Sequence, residues 1–201
     1  ISDKRIDWWK HWWKWVGEDL GAEMCVYAVN GREWNDVPRQ TDELTAEGGD
    51  VDAILVFIGT NDFNSNVPLG GWWSETVVPA DCNGSLVGVK RRLPVMDVKT
   101  LRGRINIALD KLKRTYPDRQ IVLMTPIRRG YFRCAVKNVR QDDAHANEIG
   151  LYLADYVRVV KEAGEVWSVP VIDTYSESGL VLSLPSFTDC CNRDSTDRLH
   201  P

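Results

Sequence analysis

Apolar residues are arranged along the chain in two ways that alternate with each other. Short, nearly continuous apolar runs are typical of strands covered on both faces, and apolar residues recurring every three or four positions are typical of amphipathic helices. The runs predict strands at residues 24–29, 51–59, 119–125 and 169–173. The spaced segments predict helices at residues 7–20, 36–47, 97–116 and 142–163. This order predicts a three-layer α/β/α sandwich with a parallel sheet.

Residues 64–96 interrupt the alternation. They contain four glycines, three prolines and the pair Trp72 and Trp73, and they predict an irregular segment. A segment of this length inside a domain is usually functional, as a lid or a binding loop. Two roles are open for the tryptophans: stacking on sugar rings at the mouth of a cleft, or packing the loop onto the domain.

The overall composition narrows the class of protein. A length of 201 residues corresponds to one domain, and 43% hydrophobic with 27% charged residues excludes long disorder, collagen and coiled coil. No apolar run approaches ~18 residues, so the sequence predicts no membrane span. The net charge of −4 argues against non-specific binding of nucleic acid, which needs a basic face.

The five cysteines do not have the spacing of a zinc or redox site. Cys25 lies in an apolar run and is expected to be a small buried thiol. Cys82 and one of Cys190 and Cys191 lie in loop-like segments and are candidates for a disulfide, and Cys134 completes the set. Sequence alone does not determine the pairing.

The histidines give no metal site. His11 stands between tryptophans in a predicted helix, and His145 stands near the start of another. Both are interpreted as ordinary helix residues. Neither residue supports a metal site.

Polar residues follow three of the predicted strands, at the edge where ligands bind in parallel sheets. Asn30 and Gly31 follow the first strand, and Gly59 to Asp62 follow the second. Asp197 and His200 lie beyond the last, three residues apart, so that a turn lets the carboxylate orient the imidazole as a base. A backbone N–H at Gly31 and the Asn61 amide are suitable donors to an oxyanion. Ordinary turns are the alternative for these Asn, Asp and Gly residues.

Taken together, these segments resemble the SGNH hydrolase family, also called GDSL esterases and lipases. Val29 to Trp34 resembles its Gly block, Gly59 to Asp62 matches its GxND block, and Asp197 to His200 matches its DxxH block, with Pro201 following. The run from Gly59 to Gly70 is similar to that of secreted bacterial members found among carbohydrate-active enzymes. The resemblance spans most of the chain and implies an SGNH/flavodoxin-like fold.

One family block has no counterpart. The family's nucleophilic serine lies in a Gly-Asp-Ser block after the central strand, and no such sequence occurs here. By this comparison residues 1–201 correspond to a single SGNH-like domain that lacks the first strand, the nucleophile loop and the closing helix. We therefore expect the fragment alone to be inactive.

The resemblance implies a serine esterase mechanism. A serine upstream of this sequence would attack an ester carbonyl, His200 would take its proton, and Asp197 would orient His200. Gly31 and Asn61 would stabilise the oxyanion, and the resemblance implies that neither a metal nor an organic cofactor is needed. The implied reaction removes an acyl group, acetyl in the first instance, from a small-molecule or polysaccharide ester.

The sequence gives little information on cellular location or oligomeric state. Residues 1–7 lack a signal-peptide pattern, so a secreted or periplasmic location is implied by the resemblance alone. The oligomeric state is not predicted.

Three further interpretations remain open at this point. The chain could be a catalytically inactive carbohydrate-binding protein on the same fold, or a metal-dependent phosphoesterase using Asn61, Asp62 and His200. Arg128 and Arg129 follow a strand end, where they could bind an acidic sugar or phosphate, or could be solvated loop charges.

Overall fold

A computed structural model describes residues 11–136 and 138–190, which form a parallel sheet, surrounding helices and two antiparallel hairpins. In chain order the elements are α1 (Trp12–Leu20), α2 (Val37–Ala46), β1 (Ala53–Phe57), α3 (Thr60–Asn64), β2 (Trp73–Cys82), β3 (Ser85–Pro94), α4 (Leu101–Thr115), β4 (Gln120–Met124), β5 (Phe132–Ala135), β6 (Asn138–Arg140), α5 (Leu153–Trp167), β7 (Val171–Ile172) and α6 (Thr174–Glu177). Short 3-10 helices lie at Trp34–Asp36 and Pro185–Cys190. None of the helices in these ranges has the length and hydropathy needed to cross a membrane.

The three strands β1, β4 and β7 form one parallel sheet with β4 in the centre. Val56 of β1 is opposite Leu123 of β4, and Leu123 is opposite Val171 of β7. Helix-containing connections link successive parallel strands, as such a sheet requires. The predicted α/β class is confirmed, as are the predicted strands that contain β1, β4 and β7.

Helix α4 shows why the core forms where it does. The Thr100 side chain caps its first turn by accepting a hydrogen bond from Gly103 N, and Lys113 and Arg114 occupy its last turn, where cations are favourable. Its apolar face is buried against α2, α5 and the Trp34 turn. The fully buried residues on this face are Leu101, Ile105, Ala108 and Leu109. The predicted helix at 97–116 is confirmed, with a start delayed to the Thr100 cap.

The predicted strand at 24–29 is wrong, because these residues form no strand and are mostly exposed. Apolar side chains alone do not make a strand, which needs a neighbour for its backbone N–H and C=O groups. Cys25 is accordingly an exposed free thiol, not the buried thiol that we expected. Gly21 does end α1 in the left-handed conformation, with φ 62°.

The Trp-rich first helix is only partly confirmed. Its described part, α1, presents Trp12 and Trp15 largely to solvent, with Trp15 55% exposed. The three- and four-residue spacing of the apolar positions in this segment is typical of a helix that buries one face. Among the described residues, the α1 face contacts little of the domain apart from an edge-to-face contact between Trp12 and Phe57.

Residues 64–96 are not irregular as predicted, because most of them form the hairpin β2–β3. All ten residues of β2 pair with β3, across a two-residue turn at Asn83 and Gly84. Both turn residues have positive φ, 56° and 82°, as a tight hairpin turn requires. Cys82 beside this turn is an exposed free thiol, and the side chains of Cys190 and Cys191, considered as its disulfide partners, lie outside the described part of the structure.

The predicted helix at 142–163 begins eleven residues late, as α5. Gly150 with φ 80° interrupts the preceding segment, and the Asn147 side chain is held by hydrogen bonds to Phe63 O and Tyr156 Oη. His145 therefore lies in a turn, with Nδ1 2.7 Å from Asp142 Oδ1. Tertiary hydrogen bonds replace the helical ones that the apolar spacing predicted.

Candidate functional site

The end of strand β1 leads directly into the segment Gly59 to Asn64. Gly59 has φ 123°, a conformation that favours glycine. A Cβ at this position would lie 3.2 Å from Pro126 Cγ and 3.4 Å from Trp34 Nε1. Glycine therefore allows the chain to turn closely against the end of β4 and to begin helix α3 at Thr60.

Asn61 reaches the loop that contains Gly31. Its Nδ2 donates a hydrogen bond to Arg32 O at 3.0 Å, and Gly31, the neighbour of Arg32, has φ 81° in the turn between Val29 and Arg32. The structure thus brings together the two segments predicted to supply oxyanion donors, although they are about 30 positions apart in sequence. One amide N–H of Asn61 is used for this contact.

Asp62 points the other way, into the core. It is fully buried and accepts hydrogen bonds from Trp34 N at 3.0 Å and from Arg104 Nη1 at 2.9 Å. Arg104 Nη1 also lies 2.7 Å from Glu33 Oε2. Burial raises the pKa of Asp62 to about 6, against the lowering effect of these two donors. Asp62 therefore ties α3 to the Trp34 turn and to α4, and it holds the turn that carries Asn61.

A second set of contacts approaches Asn61 from the far end of α3. Asn64 Nδ2 donates to Asn61 Oδ1 at 3.4 Å, and Arg129 Nη1 donates to Asn64 Oδ1 at 2.6 Å. The Arg129 guanidinium lies over the Phe63 ring, 4.5 Å from its centroid. Sequence reasoning did not find this role of Asn64, because the contact with Arg129 joins residues 65 positions apart.

Arg129 is buried, which corrects the interpretation of a solvated loop charge. Only 3% of it is exposed, and burial lowers its pKa to about 10. Its neighbour Arg128 is partly exposed and bonds to Asp143 at 3.1 Å while lying 4.3 Å over the Tyr175 ring. Both arginines have protein partners.

The two tryptophans of the predicted binding loop differ in their surroundings. Trp72 packs against the core, donates through Nε1 to Glu162 at 2.8 Å, and lies beneath the Arg102 guanidinium. Trp73 begins β2 and is 39% exposed. Trp72 has the contacts of an anchor for the hairpin, and only Trp73 presents substantial surface to a ligand.

The predicted catalytic pair, Asp197 and His200, lies outside the described residues. Ser65 is the serine that directly follows α3. Its hydroxyl donates to a carboxylate oxygen of Glu33, and it does not lie in the turn after a strand, where the nucleophile of this mechanism is expected. Over residues 11–136 and 138–190, no group of three His, Cys, Asp or Glu residues is placed to hold a metal ion. Asp62, considered as a metal ligand, is paired with Arg104.

The outer edge of β1 lies beside this site. Within the described part of the chain, β4 is the one strand paired with β1. Leu55 is 38% exposed and Phe57 is 41% exposed, although the sequence AILVF is typical of a strand covered on both faces. The edge offers an unpaired row of backbone groups immediately before Gly59.

Comparison with known proteins identifies the fold through solved structures. A possible lipase from Chitinophaga pinensis is 22% identical over 89% of this chain and 62% of its own, with a TM-score of 0.66. A candidate GDSL-like lipase from Bacteroides ovatus is 15% identical over 86% of this chain and 69% of its own, with a TM-score of 0.50. A further crystal structure is 28% identical over 80% of this chain and 61% of its own, with a TM-score of 0.59.

No family model and no curated protein sequence matches the chain. The chain spans about three fifths of the length of the first two of these similar structures. The likeness therefore establishes an α/β fold shared with GDSL-like lipases, at low sequence identity.

Proposed function

We propose that this chain forms the larger part of an ester hydrolase that removes acyl groups, in the first instance acetyl, from carbohydrate. The observation that carries the proposal is the position of Asn61: its side-chain amide lies at the carboxyl end of β1 and contacts the loop holding Gly31. Oxyanion donors of acyl-transfer enzymes are arranged in this way, fixed before the reaction begins. The shared fold with GDSL-like lipases supports the same reaction class.

Asn61 and Gly31 would stabilise the oxyanion that forms when a serine attacks the ester carbonyl. The Asn61 amide has two N–H groups, and Arg32 O takes one of them. The other has no partner among the described residues and is free to donate. Losing one such donor costs about 2.7–4 kcal/mol of transition-state stabilisation.

The nucleophilic serine would come from a segment outside the present sequence that pairs with the outer edge of β1. The outer edge of β1 supports this, because it has no paired strand among the described residues and its backbone N–H and C=O groups are available to a further parallel strand. Such a strand would end level with β1, and residues following it would stand beside Gly31 and Asn61. His200 would then act as the base and Asp197 would orient it.

Trp73 supports a carbohydrate substrate. Its ring is the more exposed of the two at the base of the hairpin, and aromatic faces can stack on sugar rings. In this proposal it contacts the alcohol part of the ester, while the acyl group faces Asn61.

The test compares the 201-residue chain with the same protein including its natural upstream sequence. We expect the longer protein to hydrolyse 4-nitrophenyl acetate and to be labelled by a fluorophosphonate on a serine upstream of Ile1. His200→Ala and Asn61→Ala should each lower kcat by ~100-fold or more. Asn83→Ala, in the exposed hairpin turn, is the matched control and should keep full activity.

Two outcomes would overturn the proposal. Labelling of a serine inside the 201-residue chain would place the nucleophile elsewhere, and full activity of Asn61→Ala would remove the oxyanion role. If the longer protein carries no reactive serine but binds acetylated xylan, the inactive carbohydrate-binding alternative replaces the esterase.

A further inference from the structure

We propose that Arg129 and Asn64 are positioning residues that determine which way the Asn61 side-chain amide faces. This inference rests on the proposed ester hydrolase and adds two residues to its machinery. Neither residue touches the ester. They act through Asn61, by holding its oxygen away from the oxyanion so that its nitrogen faces it.

An asparagine at such a site stabilises an oxyanion only when its amide group has the correct orientation. The oxygen and the NH₂ group are nearly the same size, and rotation by about 180° exchanges them. With nitrogen forward, Asn61 stabilises an oxyanion. With its oxygen facing the oxyanion, the Asn61 side chain repels the negative charge. An amide that rotates freely therefore stabilises the transition state less.

The contacts form a single directed row of hydrogen bonds. Arg129 Nη1 donates to Asn64 Oδ1 at 2.6 Å, Asn64 Nδ2 donates to Asn61 Oδ1 at 3.4 Å, and Asn61 Nδ2 donates to Arg32 O at 3.0 Å. An arginine side chain can only donate, and a backbone carbonyl can only accept. Because both ends of the row have fixed roles, each amide between them has one orientation that satisfies its neighbours.

The surroundings of Arg129 favour this role over that of a surface charge. Its guanidinium is buried against the Phe63 ring. Its Nε has no hydrogen-bond partner among the described residues, which is costly for a buried cation. Arg129 donates to Asn64 Oδ1 at 2.6 Å, and a charged donor makes that bond strong. The cation is therefore held where it acts on the amide row.

Asn64→Asp in the longer, ester-hydrolysing protein tests the row. A carboxylate at position 64 still accepts from Arg129 but cannot donate to Asn61 Oδ1, and it attracts the Asn61 NH₂ group instead. We expect kcat for 4-nitrophenyl acetate to fall at least ~10-fold, toward the ~100-fold or greater loss of a missing donor. KM and the thermal unfolding midpoint should stay close to wild type, and Asn83→Asp is the matched control.

Arg129→Met gives the second variant, because methionine keeps an apolar contact with Phe63 but donates no hydrogen bond. It should lower kcat less than Asn64→Asp, since Asn64 can still donate when Arg129 is absent. Combining Asn64→Asp with Asn61→Ala should lower kcat no further than Asn61→Ala alone, because no amide is left to orient.

The outcomes separate this inference from the function beneath it. If Asn61→Ala keeps full kcat, the oxyanion role itself is wrong. If Asn61→Ala loses activity while Asn64→Asp keeps it, only the positioning row is wrong. The row is equally wrong if Asn64→Asp lowers kcat as much in the Asn61→Ala background as in the wild type.

Discussion

Strands β1 and β4 are neighbours with similar apolar sequences, yet their surroundings differ. In β4, Leu123 is fully buried on one face of the sheet, and Val122 and Met124, which lie beside Leu55 and Phe57 on the other face, are half-buried. In β1, Leu55 is 38% exposed and Phe57 is 41% exposed, and the outer edge has no paired strand within the described residues. An apolar run thus predicts a strand, whereas the burial of each of its side chains depends on what packs against that face of the sheet.

The same contrast holds for the helices on the two sides. Helix α4 buries a full apolar face against α2 and α5, whereas α1 leaves Trp15 largely exposed. The half of the molecule around β4 is a closed core, whereas the side around α1 and the outer edge of β1 is uncovered within residues 11–136 and 138–190. The candidate oxyanion donors lie on the boundary between the two.

Leucine to alanine substitutions should show the largest difference. Leu123→Ala empties a fully buried position and should lower the free energy of unfolding by about 2–5 kcal/mol. Leu55→Ala on the exposed side should cost less than about 1 kcal/mol. Urea denaturation of the 201-residue chain measures both, and equal costs would contradict the contrast. In the longer protein, residues packed on the Leu55 face of the sheet would raise the cost of Leu55→Ala toward that of Leu123→Ala.

Asp62 should make stability depend on pH on the buried side of the boundary. Its pKa of about 6 in the folded protein is above the usual 3.8, so the folded state holds the proton more tightly. Its contribution to stability is complete below pH ~4 and is lost as the pH rises to ~6, amounting to about 3 kcal/mol.

The free energy of unfolding measured between pH 4 and pH 7 checks this. Asp62→Asn cannot titrate, so the wild type should lose stability relative to this variant over the interval. If the wild type instead becomes more stable relative to the variant as the pH rises, the hydrogen bonds from Arg104 and Trp34 N outweigh the effect of burial on the pKa of Asp62.

Glycine to alanine substitutions in α4 and in α1 compare the closed side of the molecule with the uncovered side. A Cβ on Gly103 of α4 would overlap the backbone of Asp97, so Gly103→Ala should destabilise by about 1–3 kcal/mol. On Gly17 of α1 the nearest atom would be Met24 Cγ, at 2.6 Å, in a flexible side chain. The higher helix propensity of alanine offsets that crowding, so Gly17→Ala should change stability by less than about 1 kcal/mol. Thermal unfolding measures both, and a larger loss for Gly17→Ala would reverse the comparison.

Thiol reactivity is the smallest effect and reports on the open side alone. Cys25 and Cys82 are exposed free thiols and should both react with a maleimide in the native 201-residue chain, as located by peptide mass spectrometry. In the longer protein we expect Cys25 to react more slowly, because a further strand would cover part of the exposed segment that carries it. Cys82, at the hairpin tip, is the internal control. An equal decrease in the reaction rates of both thiols would contradict an effect confined to the Cys25 segment.

Most of the sheet and the position of Asn61 could be predicted because local signals agreed there. Continuous apolar runs marked β1, β4 and β7, and the glycine after β1 marked the turn into α3. The strand expected at 24–29 failed because its sequence contains no information on whether a partner strand is present. The hairpin was missed although Asn83 and Gly84 are the residues that a tight turn favours.

The chain by itself therefore determined the α/β class, the strands of the sheet, helix α4 and the segment carrying Asn61. These follow from periodicity, capping and turn preferences, which act over a few residues. Only the tertiary structure decided that Arg104 holds Asp62 and that Arg129 and Asn64 approach Asn61. Those contacts join residues 42 and 65 positions apart, and such pairs meet only when the sheet and helices have packed.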